Sequence, residues 1–423
     1  MAKIDFLYGK GTLSIDIPKE RLNAVLLPHE EENNSALSEN EIVNKAFDNP
    51  IGSEALSKLA EGKEKVVIIA SDHTRPVPSR LIMPRMLQEI RKGNPDADIT
   101  ILIATGCHRE TTKDELVAKF GEEIVENEKI VIHISTNAED CVTVGTLPSG
   151  ARLSVNKIAA EADLLVSEGF VEPHFFAGFS GGRKSVLPGI CSRTTVLANH
   201  CSAFIDSPYS RTGILEGNPI HKDMIAAAQM LKLAFICNVV LDTEKHVIAA
   251  AAGDMQEAHK SLVDFVLSRA EVKPVMSDIV ISTNSGYPLD QNIYQSVKGM
   301  TAAEATVKDG GVIIMCATAS DGHGGESFYN TFKNEPDLRK MMEGFLATPA
   351  EETIPDQWES QILARILLKS TVLYLSEADD QLVKDFHMTP VHSLEEALKE
   401  ADEILGYEGK ITAIPDGIGV IVR

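Results

Sequence analysis

Residues 163–188 read DLLVSEGFVEPHFFAGFSGGRKSVLP, and the rest of the chain is best understood by working outward from them. The first part, 163–167, is a short apolar run of the kind that forms a buried strand. A glycine-rich connection follows, in which backbone N–H groups can approach an anion closely. Lys184 then places a positive charge, or a nucleophilic amine, at the end of that connection. The pattern predicts a buried strand followed by an anion-binding loop.

This loop differs from the nucleotide-binding P-loop, G-x-x-x-x-G-K-[ST], because Arg183 stands where the last glycine of that motif is required. We therefore expect the loop to hold a phosphate, but not a nucleoside triphosphate in the P-loop manner. The alternative is a glycine-rich surface turn. Phe175, Phe176 and Phe179 speak against that alternative, because a loose turn has little use for three aromatic side chains beside a cation.

The stretches before this loop repeat the same order of strand, polar loop and helix. Val66–Ala70 is an apolar run that precedes the polar loop 71–78, and Ile99–Ala104 precedes the loop 105–110. This alternation predicts an α/β fold with mostly parallel sheets. Ligands of such sheets bind beyond the carboxyl ends of the strands. We therefore expect these two loops and 168–185 to lie on one edge of a sheet.

The rhythm changes near Pro274, and a second α/β unit follows it. We predict two α/β domains with mostly parallel sheets and an active-site cleft between them. The expected divisions are an N-terminal domain over 1–272, a C-terminal domain over 273–407, and a hairpin over 408–423 that returns to the N-terminal domain.

The composition is that of a globular protein with a strong negative charge. Lys and Arg number 40 and Asp and Glu 62, so the net charge is 40 − 62 = −22. This charge disfavours nucleic acid and anionic membranes as partners. The six cysteines form no C-x-x-C pair, and no apolar run is long enough for a membrane span. We therefore expect a cytoplasmic protein without disulfides, whose small anionic ligand binds in a locally basic pocket.

Four histidines are candidates for chemistry. His73, His108 and His174 fall in the predicted strand-end loops, and His200 falls on a predicted helix after the glycine-rich loop. Histidine serves as a general acid or base and as a metal ligand, and their spacing matches no local metal motif. The sequence therefore leaves acid–base, metal-binding and purely structural roles open.

Other polar residues fit a carboxylate site, although each also has a plain structural reading. Arg75 lies in D-H-T-R-P-V-P and could bind a carboxylate in bidentate fashion, or only stabilise its loop. Asp72 could orient a histidine or form a turn. Further along, one face of a predicted helix could line a site or simply meet solvent. By their i, i+3, i+4 and i+7 spacing, this face carries Gln291, Tyr294, Gln295 and Lys298.

Five motifs, taken in order, resemble the nickel-pincer lactate racemase family. They read D-H-T-R-P-V-P, A-T-G-C-H-R, E-P-H-F-F-A-G-F-S-G-G-R-K-S-V-L-P-G, A-N-H and G-Y-P-L-D-Q-N-I-Y-Q-S-V-K-G-M. The similarity continues through D-G-H-G-G-E and I-P-D-Q-W to the tail. Each motif alone is moderately specific, whereas five in this order are strong.

The resemblance implies a cofactor and a residue for each role. The cofactor is a nickel pincer, pyridinium-3,5-bisthiocarboxylic acid mononucleotide, bound covalently to Lys184, with nickel held by that tethered group and by His200. By motif position, His108 and His174 are the catalytic pair. The remaining assignments are cofactor binding by Asp72, Thr74, Gly178, Ser180 and Gly181, and substrate binding by Arg75, Tyr294, Gln295, Lys298 and Trp358.

The resemblance also implies the reaction, which is interconversion of D- and L-lactate by hydride transfer to the cofactor, through bound pyruvate. Hydride transfer avoids a carbanion that a histidine is too weak a base to form. Implied partners are lactate or pyruvate and the proteins that mature the cofactor: a nicotinate-nucleotide carboxylase, a sulfur transferase and a nickel insertase. The alternatives are a racemase or epimerase of another 2-hydroxy acid, a phosphate-binding transferase, and a non-catalytic nickel cofactor carrier.

Overall fold

The computed structural model describes residues 1–29 and 37–423. The strands, in chain order, are β1 Ala2–Tyr8, β2 Gly11–Ile17, β3 Leu22–Val25, β4 Lys65–Ser71, β5 Asp98–Ala104, β6 Lys129–Ile132, β7 Cys141–Thr146, β8 Arg152–Asn156, β9 Leu164–Phe170, β10 Pro173–His174, β11 Gly178–Phe179, β12 Leu233–Leu241, β13 Val247–Gly253, β14 Glu271–Val272, β15 Ser277–Thr283, β16 Val307–Cys316, β17 Thr371–Leu375, β18 Thr389–Val391, β19 Ile411–Ile414 and β20 Ile421–Val422.

The helices complete the architecture. They are α1 Glu39–Asp48, α2 Leu56–Leu59, α3 Ser79–Gly93, α4 Lys113–Phe120, α5 Glu122–Asn127, α6 Lys157–Ala160, α7 Arg193–Asn199, α8 Ser202–Asp206, α9 Pro219–Met230, α10 Glu257–Ala270, α11 Ile293–Glu304, α12 Glu326–Asn334, α13 Leu338–Ala347, α14 Gln357–Lys369, α15 Asp380–Asp385 and α16 Leu394–Leu405. Among the described residues, no helix is long and apolar enough to cross a membrane.

Two compact units divide the chain. One comprises Glu31–His200 and Pro208–Val266, and the other comprises Met1–Glu30, Cys201–Ser207 and Leu267–Arg423. We call the first the histidine unit and the second the tyrosine unit, after the candidate residues each contains. Each unit holds a six-stranded sheet, so the α/β fold class predicted from the strand–loop–helix rhythm is confirmed.

The sheet of the histidine unit has the strand order β13-β12-β9-β4-β5-β6 and is parallel except for the β12–β13 pair. The chain runs outward from β4 to β6 and then returns to β9 on the other side of β4. The topological switch point, where such sheets bind ligands, therefore lies between β4 and β9. Every residue of β9 is buried, as expected for a strand covered on both faces. The loops after β4 and β9, which carry most of the candidate residues, begin side by side.

The sheet of the tyrosine unit has the order β18-β17-β16-β15-β19-β3 and is parallel throughout. All seven residues of β15 are buried. An N-terminal hairpin is formed by β1 and β2, which pair from Ala2 with Ile17 to Tyr8 with Gly11.

The tail does not form the predicted hairpin. β19 lies between β15 and β3 as a parallel strand, and β20 pairs with β14. All residues of both tail strands are buried, so each needs neighbours of its own rather than the other as a partner. Residues 1–29 were predicted to belong to the N-terminal domain. They group with the C-terminal residues instead, because β3 pairs with β19 and completes that sheet. The interdomain cleft stays a prediction.

Candidate active site

Asp72 follows β4 and is almost completely buried, at 1% exposure. Its Oδ1 accepts hydrogen bonds from the backbone N–H of Thr74, at 3.0 Å, and from the Thr74 hydroxyl, at 2.6 Å. Its Oδ2 lies 2.7 Å from Nδ1 of His108. Burial alone would raise the pKa of Asp72, but the hydrogen bonds from His108 and Thr74 outweigh it and lower that pKa. The carboxylate is therefore ionised and fixed in orientation.

His108 follows β5 and is oriented by this carboxylate. Since an ionised carboxylate only accepts, Nδ1 of His108 carries the proton and donates it to Asp72. In the neutral ring, Nε2 then has a free lone pair. The His108 side chain is 42% exposed, so this nitrogen is within reach of a ligand. An imidazole held this way is suited to act as a general base, because Asp72 stabilises the imidazolium that forms.

His174 lies on the short strand β10 and has the opposite tautomer. Its Nδ1 accepts a hydrogen bond from the backbone N–H of Ala177, at 3.3 Å. The proton of the neutral ring is therefore on Nε2. The two histidines that the resemblance pairs therefore differ at Nε2, where His108 has a lone pair and His174 has an N–H.

Phe176 connects His174 to the other candidate residues of the loop. Its ring packs edge-on against His174, with centroids 4.5 Å apart, and edge-on against His200, at 5.2 Å. The Nζ of Lys184 lies 6.0 Å from the centroid of the same ring. Phe176 is 4% exposed and so provides an apolar surface from which water is excluded. The structure therefore brings His174, Lys184 and His200 together around one aromatic ring.

His200 is suited to bind a metal through one nitrogen. It caps the C-terminus of α7, and its Nδ1 lies 3.0 Å from the carbonyl of Val196, to which it donates. Burial, and then the charge of Lys184, lower the pKa of His200 to about 3, so the ring is neutral. Nε2 therefore keeps its lone pair, which is how a metal-binding imidazole is usually held. The sequence placed His200 within one helix, whereas the structure ends α7 before it and begins α8 at Ser202.

The residues present fit the cofactor that the resemblance implies. Lys184 offers the amine that a thioamide tether needs, and His200 offers a neutral imidazole. Across residues 1–29 and 37–423, no group of three or more His, Cys, Asp or Glu side chains could hold a metal ion. His200 would be the protein side chain that holds the nickel of that cofactor.

The loop that carries Lys184 is shaped by glycines at two close approaches. Gly178 has φ +77°, and a Cβ there would lie 2.4 Å from the carbonyl oxygen of Ile214. Gly181 has φ +76°, and a Cβ there would meet Asn238 Oδ1 at 2.7 Å. A larger residue at either position would displace the loop. Ser180 is buried, and its hydroxyl donates to the carbonyl of Phe170. That bond gives Ser180 a role in the loop itself, alongside the cofactor contact that the resemblance implies.

Arg183 is the residue whose role the sequence did not indicate. Its guanidinium is fully buried and donates to the carbonyls of Ala177, at 2.9 Å, Ser180, at 3.3 Å, and Gly181, at 3.2 Å, and to Nδ1 of His221, at 3.0 Å. Burial lowers its pKa to about 9. Arg183 therefore holds the loop from behind instead of facing an anion. This role depends on how the guanidinium packs against the loop in three dimensions, so the sequence carries no local signal for it.

Arg75, the residue that the resemblance assigns to the substrate carboxylate, lies on the loop after β4. It is exposed, and its guanidinium makes no hydrogen bond or ion pair with any residue in 1–29 or 37–423. Its backbone is fixed by a hydrogen bond from its N–H to the carbonyl of Asp72, at 3.3 Å. A bidentate donor is thus available near Asp72 and Thr74.

The other substrate-binding candidates lie in the tyrosine unit. Tyr294, Gln295 and Lys298 are in the first turns of α11, and Lys298 Nζ donates to Gln295 Oε1, at 2.7 Å. The hydroxyl of Tyr294 donates to Asp356, at 2.9 Å, and burial raises the pKa of Tyr294. Trp358 follows on α14 and contributes a hydrogen bond to Tyr294. The structure therefore groups these four candidates within one unit.

Three features of the histidine unit define an α/β enzyme with acid–base and cofactor-binding groups. They are the ionised Asp72 beside His108, His174 with the opposite tautomer, and Lys184 near the neutral His200. Comparison with protein families gives the particular family. Residues 8–213 match the lactate racemase N-terminal domain, and residues 272–422 match the lactate racemase C-terminal domain. The chain belongs to the lactate racemase family, and it is an isomerase.

Individual relatives agree with this assignment. The chain is 55% identical to a lactate racemase of Thermoanaerobacterium thermosaccharolyticum and 54% identical to one of Lactiplantibacillus plantarum, in both cases over 100% of each chain. The solved structure of the Thermoanaerobacterium thermosaccharolyticum lactate racemase apoprotein superimposes with a TM-score of 0.95 over 100% of both chains. A protein from Thermotoga maritima, at 18% identity, shares the fold with a TM-score of 0.60 over 92% of this chain and 99% of that one.

Proposed function

We propose that this protein interconverts D- and L-lactate with a nickel-pincer pyridinium mononucleotide tethered to Lys184. The observation that carries the proposal is the arrangement around Phe176, where His174, Lys184 and neutral His200 lie against one buried ring. Full-length identity of 55% to a lactate racemase supports the choice of substrate. When bound, the pyridinium supplies a two-electron acceptor for the α-hydrogen of the substrate.

In this proposal the protein binds the substrate through its carboxylate and moves only the hydroxyl proton. Arg75 binds the carboxylate in bidentate fashion, since it is exposed and its guanidinium forms no hydrogen bond within the described part of the chain. His108 takes the hydroxyl proton at Nε2, and Asp72 stabilises the resulting imidazolium through Nδ1–H. Bound pyruvate would result only if the α-hydrogen also left as hydride, and the tethered pyridinium would accept that hydride. The resemblance also assigns substrate binding to Lys298, Tyr294 and Gln295, and we include these contacts in the proposal.

The second enantiomer requires the second histidine, whose resting state is different. His174 can take a proton at Nε2 only if Nδ1 becomes the protonated nitrogen, and this means giving up the hydrogen bond from Ala177. That bond is long, at 3.3 Å, so giving it up is inexpensive. We therefore expect both enantiomers to react, with unequal rates in the two half-reactions.

The proposal extends to the partners and the location. A cofactor of this kind has to be built by other proteins, and we propose a nicotinate-nucleotide carboxylase, a sulfur transferase and a nickel insertase. We propose that this takes place in the cytoplasm. None of the six cysteines is in a disulfide, and four of them are buried, which supports a reducing compartment.

The test is turnover by protein produced together with the three maturation proteins. Pure L-lactate and pure D-lactate should each be converted to a racemic mixture, whereas protein produced without them should be inactive. If loaded protein racemises another 2-hydroxy acid and leaves lactate unchanged, the choice of substrate is wrong. If it racemises no 2-hydroxy acid, the proposed activity is wrong.

A further inference from the structure

Helices α11 and α14 of the tyrosine unit pack together with charged residues along their seam. Glu304 of α11 and Arg365 of α14 form a bidentate pair, with Nε–Oε1 and Nη2–Oε2 distances of 2.7 Å. A second pair of opposite charges lies nearer the N-terminus of each helix. In this pair the cation, Lys298, is on α11 and the acid, Glu359, is on α14. The first pair is closed by two hydrogen bonds. In contrast, neither carboxyl oxygen of Glu359 accepts a hydrogen bond from Lys298.

Glu359 is a buried carboxyl group without hydrogen-bond partners. It is 1% exposed, and neither of its carboxyl oxygens has a partner within the described part of the chain. An ionised carboxylate in that environment would be strongly destabilising, because no donor replaces the water it has lost. The neutral acid avoids most of this cost. Burial accordingly raises the pKa of Glu359 to about 8, although the charge of Lys298 acts in the opposite direction.

The charged and titratable groups that face Glu359 come from two places. Lys298 and Tyr294 belong to α11, and Asp356 lies in the turn before α14. Tyr294 already donates its proton to Asp356, at 2.9 Å, so it does not stabilise an ionised Glu359. Asp356 repels a second negative charge. Lys298 is therefore the group that responds to the charge on Glu359.

We propose that Glu359 is a positioning residue that acts through Lys298. As a neutral acid, it leaves the charge of Lys298 available to the substrate carboxylate. As a carboxylate, it neutralises that charge and draws the ammonium group toward α14, so the anionic substrate binds more weakly. The inference rests on the proposed function in one respect, namely that Lys298 binds the substrate carboxylate.

The first test measures KM for lactate as a function of pH with loaded enzyme. In the unchanged protein, KM should rise by about tenfold between about pH 7 and pH 9.5. Ionisation of Glu359 should weaken the attraction between Lys298 and the substrate carboxylate by the equivalent of about one pKa unit. Glu359→Gln keeps the shape and removes the ionisation. Its KM should match that of the unchanged protein at pH 7 and then stay constant as the pH rises.

A matched control comes from the same seam. Glu304→Gln removes a carboxylate that is paired with Arg365 and has no role in the site. It should lower stability and leave the pH dependence of KM as in the unchanged protein. If Glu359→Gln shows the same rise of KM with pH as Glu304→Gln, the proposal is overturned.

A second measurement does not depend on turnover. Trp358 is the only tryptophan of the chain and precedes Glu359, so its fluorescence reports on charge at this position. A titration of the unloaded full-length protein should show a transition near pH 8 that is absent in Glu359→Gln. If the transition persists in the variant, Glu359 does not titrate there. If the two proteins differ in this fluorescence titration but the loaded enzyme has no racemase activity, Glu359 titrates as proposed and the proposed function is wrong.

Discussion

Nδ1 of His108 lies 2.7 Å from Oδ2 of Asp72, and this one hydrogen bond fixes the proton of the imidazole on the side away from a ligand. The two residues follow neighbouring parallel strands, β4 and β5. The sheet therefore determines their separation, and the buried carboxylate determines the tautomer. A general base is formed by residues that are far apart in the sequence.

Replacing this carboxylate by an amide should disable the base without disturbing the fold. In Asp72→Asn the side chain can donate to Nδ1, so His108 would place its proton on Nε2, where the substrate needs a lone pair. We expect kcat to fall by about 10²–10⁴-fold, the usual contribution of a general base. His73→Asn is the control, since His73 is the neighbouring histidine and contacts Thr111 instead, at 3.0 Å. Equal activity of Asp72→Asn and His73→Asn would contradict this role.

Lys184 should be the attachment point of the cofactor. Intact mass spectrometry of loaded protein should show a covalent adduct that maps to the peptide with Lys184. Lys184→Ala should fold and lack the adduct, and Lys184→Arg should lack it too, because a guanidinium does not form the thioamide. An adduct retained in either variant would show that another residue is attached.

Arg183 should stabilise the loop that presents Lys184. Arg183→Lys keeps a charge but cannot reach the carbonyls of Ala177, Ser180 and Gly181 together. Leaving buried carbonyls unpaired should lower the free energy of unfolding by about 2–4 kcal/mol, measured by urea denaturation. The exposed Arg80, which makes one hydrogen bond to the carbonyl of Val117, is the control, and Arg80→Lys should cost under about 0.5 kcal/mol. A loss in Arg183→Lys no larger than in this control would refute the role of Arg183.

Acid should destabilise the protein through two histidines behind this loop, of which His259 is buried and His221 is partly buried. Burial, and then the charge of Arg183, lower the pKa of both His221 and His259 to about 3. Both are therefore neutral in the folded protein and protonated once unfolded. Stability should fall as the pH drops from about 6.5 towards about 3, by about 1.4 kcal/mol per pH unit for each histidine.

The variant His221→Asn tests this pH dependence. Asn can still accept the hydrogen bond from Arg183 Nε, and it removes one titrating group. Its free energy of unfolding should fall less steeply below pH 6.5, by about 1.4 kcal/mol less per pH unit than that of the unchanged protein. An unchanged slope would mean that His221 does not take up a proton on unfolding.

Much of this architecture follows from the sequence because buried parallel strands leave a local signal. The apolar runs Val66–Ala70 and Ile99–Ala104 were predicted as strands, and they lie within β4 and β5. The loops after β4, β5 and β9 could be placed on one edge because parallel strands share their carboxyl ends.

The rest depends on relationships that no local pattern contains. The tail strands were recognised, but their partners were not, because β19 pairs with strands that lie far away in the sequence. The break between α7 and α8 at His200 was missed, because the helical pattern continues through it. The buried position of Arg183 and the unpaired carboxyl of Glu359 depend on packing in three dimensions.

The most direct test of the central claim is the half-reaction of His108→Ala and His174→Ala with each pure enantiomer of lactate. Both variants should lose at least about 10²-fold in overall racemisation in both directions, because a full turnover uses one histidine as base and the other as acid. In rapid mixing, each variant should still bleach the pyridinium absorbance with one enantiomer only, and the two variants should prefer opposite enantiomers. If both variants bleach the cofactor equally with both enantiomers, the two histidines are not the paired bases of a racemase.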